Sequence, residues 1–249
     1  MSGRRVEAVL PFGTGRLRPR VPNGEEFVVS PRSRALLFRL LLAILALVVA
    51  LVWFWLSTRN SGATPPASAP PPVAAADAQH QLDELTIAPR TSMDGYSREK
   101  FPHWDNQGNN CNTREVVLKR DGKDVKTGTG CNPTSGSWTS SYDGETWTKP
   151  ADVDIDHMVP LGQAWASGAR SWTTEKREQF ANDLTRPQLF AVTDKVNREK
   201  SDKAPDEWKP PLVSFWCTYA TDWIVVKHYY RLTVTTAEKT ALTDMLHRC

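Results

Sequence analysis

An uncharged apolar run divides the chain into two very unequal parts. Residues 40–57 read LLLAILALVVALVWFWLS, which is close to the about 20 residues that a helix needs to cross a bilayer. Eight arginines and three acids precede this run, so the positive-inside rule predicts a cytoplasmic N-terminal arm and an exported remainder. We therefore predict a single-pass cell-membrane protein that contacts the lipid bilayer through residues 40–57, with an extracellular C-terminal domain.

Secretion after cleavage of a signal peptide is the alternative. A signal peptide usually has an apolar region of about 7–15 residues, closely followed by a cleavage site of small residues. Here Trp53, Phe54 and Trp55 end the run, and no Ala-x-Ala site follows at once. The sequence therefore favours a retained anchor.

The composition outside the run predicts three further segments. Residues 1–39 form a basic arm that is predicted to be disordered, and residues 58–80 form a Pro/Ala-rich linker. Residues 81–249 are long enough for one domain with its own core. From residue 80 onward, 22 Lys and Arg stand against 24 Asp and Glu, so the chain's net charge of +3 originates in the arm. Any nucleic-acid contact of the domain must then come from a local patch.

All four cysteines lie in the segment that is predicted to be exported. An even number of cysteines in such a segment indicates disulfides, and four cysteines allow three pairings. We favour Cys111–Cys131 and Cys217–Cys249, because each pair closes a contiguous part of the chain. A zinc site with four cysteine ligands is disfavoured, since the sequence contains no Cys-x-x-Cys spacing.

Hydrophobic periodicity predicts a domain with both strands and helices. Residues 81–89 and 93–101 are predicted as short helices or turns. The alternation over 113–120, followed by Asp121-Gly122 and residues 123–127, predicts a β-hairpin. A second turn is predicted at Asp143-Gly144. Further strands are predicted over 153–157 and 188–192, and helices over 173–182, 193–200, 219–230 and 236–246.

The residues with chemical potential are concentrated in two stretches, DVDIDHMVPL at 152–161 and VNREKSDK at 196–203. A carboxylate beside a histidine at the end of a β-branched run, with a later amide and lysines, supplies a metal ligand, a general base and phosphate contacts. This combination suits phosphodiester hydrolysis. Neither H-E-x-x-H nor G-x-S-x-G occurs, so the sequence does not support a zinc peptidase or an α/β-hydrolase.

The order of strand 153–157, strand 188–192 and a helix bearing Asn197 resembles the HNH, or ββα-metal, endonuclease superfamily. More narrowly, the chain is similar to exported HNH-family proteins of actinobacteria. The resemblance covers about 95–249 and rests on Cys-x-Thr-Arg-Glu at 111–115, Asp-His-x-Val-Pro-Leu at 156–161 and Asn197-x-x-Lys200. It implies an α+β fold with a ββα-metal (HNH) nuclease core, added hairpins and helices, and disulfide bonds, preceded by one transmembrane helix.

The resemblance also implies an activity and its residues. The expected function is a metal-dependent endonuclease acting outside the membrane on DNA, with RNA left open. His157 is the expected general base, and Asp156 with Asn197 the expected ligands of one Mg²⁺ or Mn²⁺ ion. Nucleic-acid contacts are expected from Arg114, Arg198, Lys200 and Lys203.

One position departs from the HNH pattern. A central asparagine normally braces the loop that holds the histidine, and here the residue before the second strand is Gln188, with Asn182 as the nearest asparagine. Either amide is a candidate for the brace.

A function of another class remains open, namely a catalytically inactive membrane-anchored binding or cell-envelope module on the same scaffold. The nearly neutral domain favours this alternative, whereas the complete set of Asp156, His157 and Asn197 favours catalysis. The lysines and Arg198 also fit a solvated helix face, and Arg114 also fits a structural ion pair. No protein partner is implied.

Overall fold

A computed structural model describes residues 40–52 and 73–249. The chain divides into two compact units, 1–60 and 61–249. Within the first unit, residues 40–52 are helical and exposed. None of the helices in the described ranges combines the length and apolarity that a membrane crossing requires. The predicted arm at 1–39, the end of the predicted span at 53–57 and the linker up to residue 72 lie outside the described residues.

The second unit is a mixed α/β fold, as the sequence predicts. Its α-helices are α1 (Ala75–Glu84), α2 (Thr113–Asp121), α3 (Leu161–Ala166), α4 (Thr174–Ala181), α5 (Asp194–Lys200), α6 (Trp216–Tyr230) and α7 (Thr236–Leu246). Its strands are β1 (Lys123–Thr127), β2 (Pro133–Thr139), β3 (Thr146–Trp147), β4 (Val153–His157) and β5 (Leu189–Thr193). The strands predicted at 153–157 and 188–192 and the four helices predicted after residue 172 are confirmed, with ends shifted by up to three residues.

The strands form two antiparallel sheets. β1, β2 and β3 make a three-stranded sheet in that order, whereas β4 and β5 pair with each other. In the β4–β5 pair, Asp156 lies opposite Phe190 and His157 opposite Leu189. Helix α5 begins at Asp194, directly after β5, so this pair is followed at once by a helix.

Two clusters of buried apolar residues lie in this unit. The larger cluster is rich in aromatic side chains, among them Phe101, Tyr142, Phe180, Tyr219, Trp223 and Tyr230. The smaller cluster joins α2 to β2, β4 and β5 through residues such as Val117, Leu118, Trp138, Ile155 and Leu189. Burying one large apolar side chain contributes about 1.5–3 kcal/mol. Side chains alternate between the two faces of a strand. In β4, Ile155 therefore faces the smaller cluster, and Asp156 lies on the opposite face of the strand.

The two expected disulfides are present. Cys111 and Cys131 have Cα atoms 4.9 Å apart, and Cys217 and Cys249 have Cα atoms 5.1 Å apart. The bonds span 20 and 32 residues of chain, and loops of this length give about 3 kcal/mol each in the chain-entropy model. The first bond ties the residue preceding the α2 cap to the loop that enters β2.

The predicted strand at 113–120 is wrong, because these residues form helix α2. A capping box explains the difference: the Asn112 side chain accepts from the Glu115 backbone N–H at 2.9 Å, and the Glu115 carboxylate accepts from the Asn112 N–H at 2.7 Å. Such a cap stabilises a helix by about 1 kcal/mol, and here it outweighs the strand preference of the valines in α2. The chain does turn at Asp121-Gly122, but β1 then pairs with β2.

The boundary of the predicted linker at 58–80 also changes. Helix α1 begins at Ala75, and its Ala78 and Leu82 are fully buried. Alanine has the highest helix propensity, so the Ala-rich end of this stretch forms a helix. This helix then joins the core. Residues 81–89 are therefore the end of this helix and an extended segment, and the stretch 93–101 contains a 3₁₀ turn at Arg98–Lys100.

Candidate active site

A cleft of about 580 Å³ opens at the end of β4. Strand β4 contributes Asp156 and His157 to it, and α5 contributes Asn197, so two sequence stretches about forty residues apart meet there. Its other polar lining residues are Tyr96, Arg98, Arg198, Ser201 and Asp202. The structure thus brings the predicted base and both predicted metal ligands to one cleft.

The His157 imidazole has a defined protonation pattern. Only 4% of the residue is exposed, and Nε2 lies 2.9 Å from the carbonyl oxygen of Ala181. A carbonyl oxygen only accepts hydrogen bonds, so Nε2 carries the proton and Nδ1 keeps the lone pair. Burial lowers the pKa of His157 to about 3, which keeps the ring neutral at neutral pH. The Trp104 ring stacks on this imidazole, with centroids 6.0 Å apart.

Asp156 has two donors on the same carboxylate oxygen. The Tyr142 hydroxyl donates to Oδ2 at 2.6 Å, and Lys200 Nζ lies 2.8 Å from that atom. Burial raises the pKa of Asp156 and lowers the pKa of Lys200, while the attraction between the two charges opposes both shifts. Lys200 also donates to the carbonyl oxygen of His157 at 2.9 Å, so its ammonium fixes both residues of the Asp-His pair.

Asn197 is oriented by a second carboxylate. Its amide nitrogen donates to Asp154 Oδ2 at 3.0 Å, which leaves the amide oxygen as the ligand atom. No group of three or more His, Cys, Asp or Glu side chains in the described part of the chain is arranged to hold a metal ion. Asp156 and Asn197 offer one carboxylate and one amide oxygen, and this donor set fits a hard divalent ion that takes its remaining ligands from water and phosphate.

Gln188 braces the loop that follows His157. The residue is fully buried, its amide nitrogen donates to the Val159 carbonyl oxygen at 3.0 Å, and its amide oxygen accepts from the Val159 N–H at 3.1 Å. The Gln188 carbonyl oxygen also accepts from the Met158 N–H at 2.7 Å. These bonds fix the backbone directly after the histidine.

Asn182 makes a different set of contacts. Its amide oxygen accepts from the Asp105 N–H at 3.0 Å and from the Thr113 hydroxyl at 2.8 Å, and its amide nitrogen donates to the Pro102 carbonyl oxygen at 3.0 Å. The preceding residue is Ala181, whose carbonyl oxygen contacts His157. Gln188 thus fixes the backbone after His157, and Asn182 fixes the segment next to the carbonyl group that contacts the ring.

The four predicted nucleic-acid contacts have different environments. Arg198 lines the cleft and forms an exposed ion pair with Asp194. Lys203 is exposed and donates to the carbonyl oxygen of Glu199 in α5. Arg114 is half-buried and donates to the Pro150 carbonyl oxygen at 3.3 Å. The expectation that Lys200 contacts nucleic acid is corrected. Lys200 is fully buried, where its positive charge pairs with Asp156.

Sequence reasoning missed two residues of this site. Arg98 lines the cleft, and its Nε donates to Nε2 of His103 at 3.4 Å. Tyr142 lies in the turn between β2 and β3 and reaches Asp156 from there. Neither residue is part of a motif near the Asp-His pair, and only tertiary contacts bring them to it. The aromatic stretch 138–147 is the one sequence signal that marked the region of Tyr142.

A neutral imidazole, a carboxylate, an amide and two guanidinium groups line one cleft, and this set of groups suits the hydrolysis of phosphate esters. The comparison with protein families agrees with this class. The model of "GmrSD restriction endonucleases, C-terminal domain" matches residues 105–245, and the chain belongs to this family. The resemblance to a nuclease family that the sequence suggested is thereby confirmed at the family level.

A curated relative matches most of the chain. The "Uncharacterized secreted protein" of Arthroderma benhamiae is 58% identical over 189 residues, which cover 75% of this chain and 93% of the relative. No solved structure matches the chain.

The prediction of a single-pass cell-membrane protein with a bilayer contact through residues 40–57 is contradicted. The relative from Arthroderma benhamiae bears the name of a secreted protein. The physical reason for the error is that the anchor was favoured on two tendencies, the length of the apolar run and the lack of an Ala-x-Ala site directly after it, and neither is a strict requirement of a cleavable leader.

Proposed function

We propose that this protein is a divalent-metal-dependent endonuclease of the HNH type that hydrolyses phosphodiester bonds of DNA, with RNA as a second substrate still open. One observation carries the proposal: the buried, neutral His157 shares a cleft with Asp156 and Asn197. The succession of β4, β5 and α5 supports a ββα core for this site, since the two strands are antiparallel and the helix follows directly.

His157 acts as the general base in this proposal. Its Nε2–H is held by the Ala181 carbonyl, so Nδ1 is the atom that takes a proton from the attacking water. Burial keeps the ring neutral at neutral pH, so it can accept that proton, but a pKa of about 3 makes it a weaker base than an ordinary histidine. A positioned base of this kind contributes about 10²–10⁴-fold to the rate.

Asp156 and Asn197 would hold one Mg²⁺ or Mn²⁺ ion. When bound, such an ion neutralises charge on the scissile phosphate and on the leaving oxygen. Asp156 is prepared for this role because Lys200 and Tyr142 both occupy Oδ2 and leave Oδ1 as the remaining ligand atom. Asp154 orients the Asn197 amide in the same way.

Arg98 and Arg198 are the proposed phosphate contacts, since both line the cleft. A guanidinium group binds phosphate through two parallel hydrogen bonds, which orients the substrate as well as attracting it. These two groups would contact the substrate locally, since Asp202 also lines the cleft and Asp194 pairs with Arg198, so the cleft as a whole is not strongly basic. Lys203 and Arg114 lie outside the residues that line the cleft and are proposed as secondary contacts.

We also propose that the protein is secreted and that residues 81–249, extended by the start of α1, form its catalytic domain. The name of the Arthroderma benhamiae relative supports secretion. The two disulfides support it independently, because such bonds persist in oxidising compartments.

One feature favours the rival function of an inactive binding module. Lys200 already neutralises Asp156, and the described residues contain no larger cluster of metal-binding side chains. A scaffold of this kind can bind phosphate through its arginines without any chemistry. Metal-dependent cleavage therefore separates the two functions.

The test uses the purified, oxidised full-length protein and supercoiled plasmid DNA, with Mg²⁺, with Mn²⁺ or with EDTA. His157→Ala is compared with His247→Ala, which changes an exposed histidine at the end of α7. We expect nicking that requires the metal, is lost in His157→Ala and persists in His247→Ala. Absence of cleavage with either ion, together with DNA binding, would establish the binding module instead.

A further inference from the structure

The Tyr142 hydroxyl is the one uncharged group that contacts the Asp156 carboxylate through a side-chain hydrogen bond among the described residues. It lies 2.6 Å from Oδ2, and the tyrosine is fully buried. The hydroxyl therefore contacts neither solvent nor substrate. Its position in the interior indicates that it acts through Asp156.

The Tyr142 ring is held rigidly. It contacts the rings of Trp208, Phe215 and Tyr219 at centroid distances of 5.3, 6.0 and 5.9 Å. Its carbonyl oxygen accepts from the Leu212 N–H at 2.9 Å, so the backbone is fixed too. A side chain held from several sides places its hydroxyl in a defined position.

We propose that Tyr142 is a positioning residue for the divalent ion: its hydroxyl fixes the rotation of the Asp156 carboxylate, so that Oδ1 is presented to the cleft. This inference rests on the proposed function, because it concerns the ion that Asp156 and Asn197 would hold. Lys200 contacts the same oxygen and also the carbonyl oxygen of His157, so its ammonium is shared between two acceptors, whereas the Tyr142 hydroxyl donates to Asp156 alone.

The expected loss of metal affinity can be taken from hydrogen bonds that orient metal ligands in other proteins. Removal of a hydrogen bond that orients a ligand typically lowers metal affinity by about 10–100-fold. Tyr142→Phe removes only the hydroxyl and keeps the aromatic contacts, so we expect weaker Mn²⁺ binding with a native fold. Cleavage should recover toward the wild-type rate when the metal concentration is raised, because the loss lies in ion binding.

Tyr219→Phe is the matched control. Tyr219 belongs to the same aromatic cluster and is fully buried, but its hydroxyl has no hydrogen-bond partner among the described residues. Removing that hydroxyl should leave Mn²⁺ affinity unchanged. Any general effect of losing a phenol from this core would appear in both variants, whereas an effect on Asp156 would appear in Tyr142→Phe alone.

The experiment titrates Mn²⁺ into the oxidised full-length protein by calorimetry, without DNA, for the wild type, Tyr142→Phe, Tyr219→Phe and Asp156→Asn. Thermal unfolding checks each fold, and if Tyr142→Phe is unfolded, all four proteins are titrated in a stabilising osmolyte such as sucrose. A dissociation constant raised about tenfold or more in Tyr142→Phe and unchanged in Tyr219→Phe supports the inference.

Two other outcomes are distinguishable. If the wild type binds Mn²⁺, Asp156→Asn abolishes binding and Tyr142→Phe equals the wild type, the inference is overturned while the proposed function stands. If the wild type neither binds Mn²⁺ nor cleaves DNA, the proposed function fails and the inference fails with it.

Discussion

Nε2 of His157 lies 2.9 Å from the carbonyl oxygen of Ala181, and Ala181 is followed directly by Asn182. The side-chain amide of Asn182 contacts the segment from Pro102 to Asp105 and the hydroxyl of Thr113. The first two predictions concern the buried amides of Asn182 and Gln188.

Asn182→Ala should reduce both stability and activity. The substitution leaves the Asp105 N–H and the Thr113 hydroxyl without their acceptor, and each buried unpaired group costs about 1–3 kcal/mol. The Ala181 carbonyl then loses its support, and we expect at least a tenfold loss of cleavage rate. Urea unfolding and single-turnover cleavage measure the two effects. Asn132→Ala, at an exposed asparagine, should change neither.

Gln188→Ala should destabilise the loop after β4. Both backbone groups of Val159 lose their partner in the interior, which predicts a loss of about 2–4 kcal/mol in the free energy of unfolding. Gln188→Asn keeps the amide but is one methylene shorter, so it should recover little of this. Chemical denaturation measures the stability of both variants. Equal stability of the wild type and Gln188→Ala would show that Gln188 does not brace the loop.

Lys200→Met should be strongly destabilising. Removing one partner of a buried ion pair typically costs about 3–5 kcal/mol, because Asp156 is left charged in the interior. Lys203→Met changes an exposed lysine three residues later and should shift the free energy of unfolding by less than about 0.5 kcal/mol. Similar stability of both variants, with weaker DNA binding in each, would instead restore Lys200 as a phosphate contact.

Arg98→Ala should weaken substrate binding with little effect on folding. Arg98 is exposed at the cleft, and a hydrogen bond to a charged group contributes about 1.5–3 kcal/mol, so we expect DNA affinity to fall by about 10–100-fold. The dependence of binding on salt should also become less steep, because one phosphate contact is lost. Arg170→Ala, at an exposed arginine that does not line the cleft, is the control for net charge. Fluorescence anisotropy at several salt concentrations measures both quantities.

Asp222 should make the protein less stable as the pH rises. Burial raises the pKa of Asp222 to about 8, whereas an aspartate in an unfolded chain has a pKa of about 3.9. Between these values the folded state keeps a proton that the unfolded state releases, so the free energy of unfolding falls as the pH increases from about 4 to 8. Asp222→Asn should flatten this dependence, and Asp244→Asn, at an exposed carboxylate, should retain it. Urea unfolding midpoints of the wild type and both variants, measured from pH 5 to 8, test this prediction.

The sequence predicted the elements that carry local signals. The β-branched run ending at His157, the apolar strand after Gln188 and the helix bearing Asn197 all occur as expected, because their periodicity agrees with their burial. The disulfide pairs were predictable since each joins cysteines that are near in sequence. The wrong strand at 113–120 was avoidable, because Asn112 and Glu115 have the spacing of a capping box.

Other features depend on contacts between distant parts of the chain. Tyr142 reaches Asp156 from a hairpin turn, and Arg98 reaches the cleft from a segment far upstream, with no spacing that would reveal either. The burial of Lys200 was equally hidden, since a lysine near the end of a helix usually faces water. Sequence patterns report which face of an element is apolar, and they do not report which polar side chain meets another across the fold.

The two disulfides determine where this protein can mature. A chain kept in a reducing cytosol would lack both cross-links, and its free energy of unfolding would be lower by about 6 kcal/mol in the chain-entropy model. The free energy of unfolding of a typical domain is only about 5–15 kcal/mol. Recombinant production therefore calls for a periplasmic or secretory host rather than cytosolic expression. For the proposed secreted nuclease, the same dependence would spare the chromosome of the producing organism, because both cross-links persist only in an oxidising compartment.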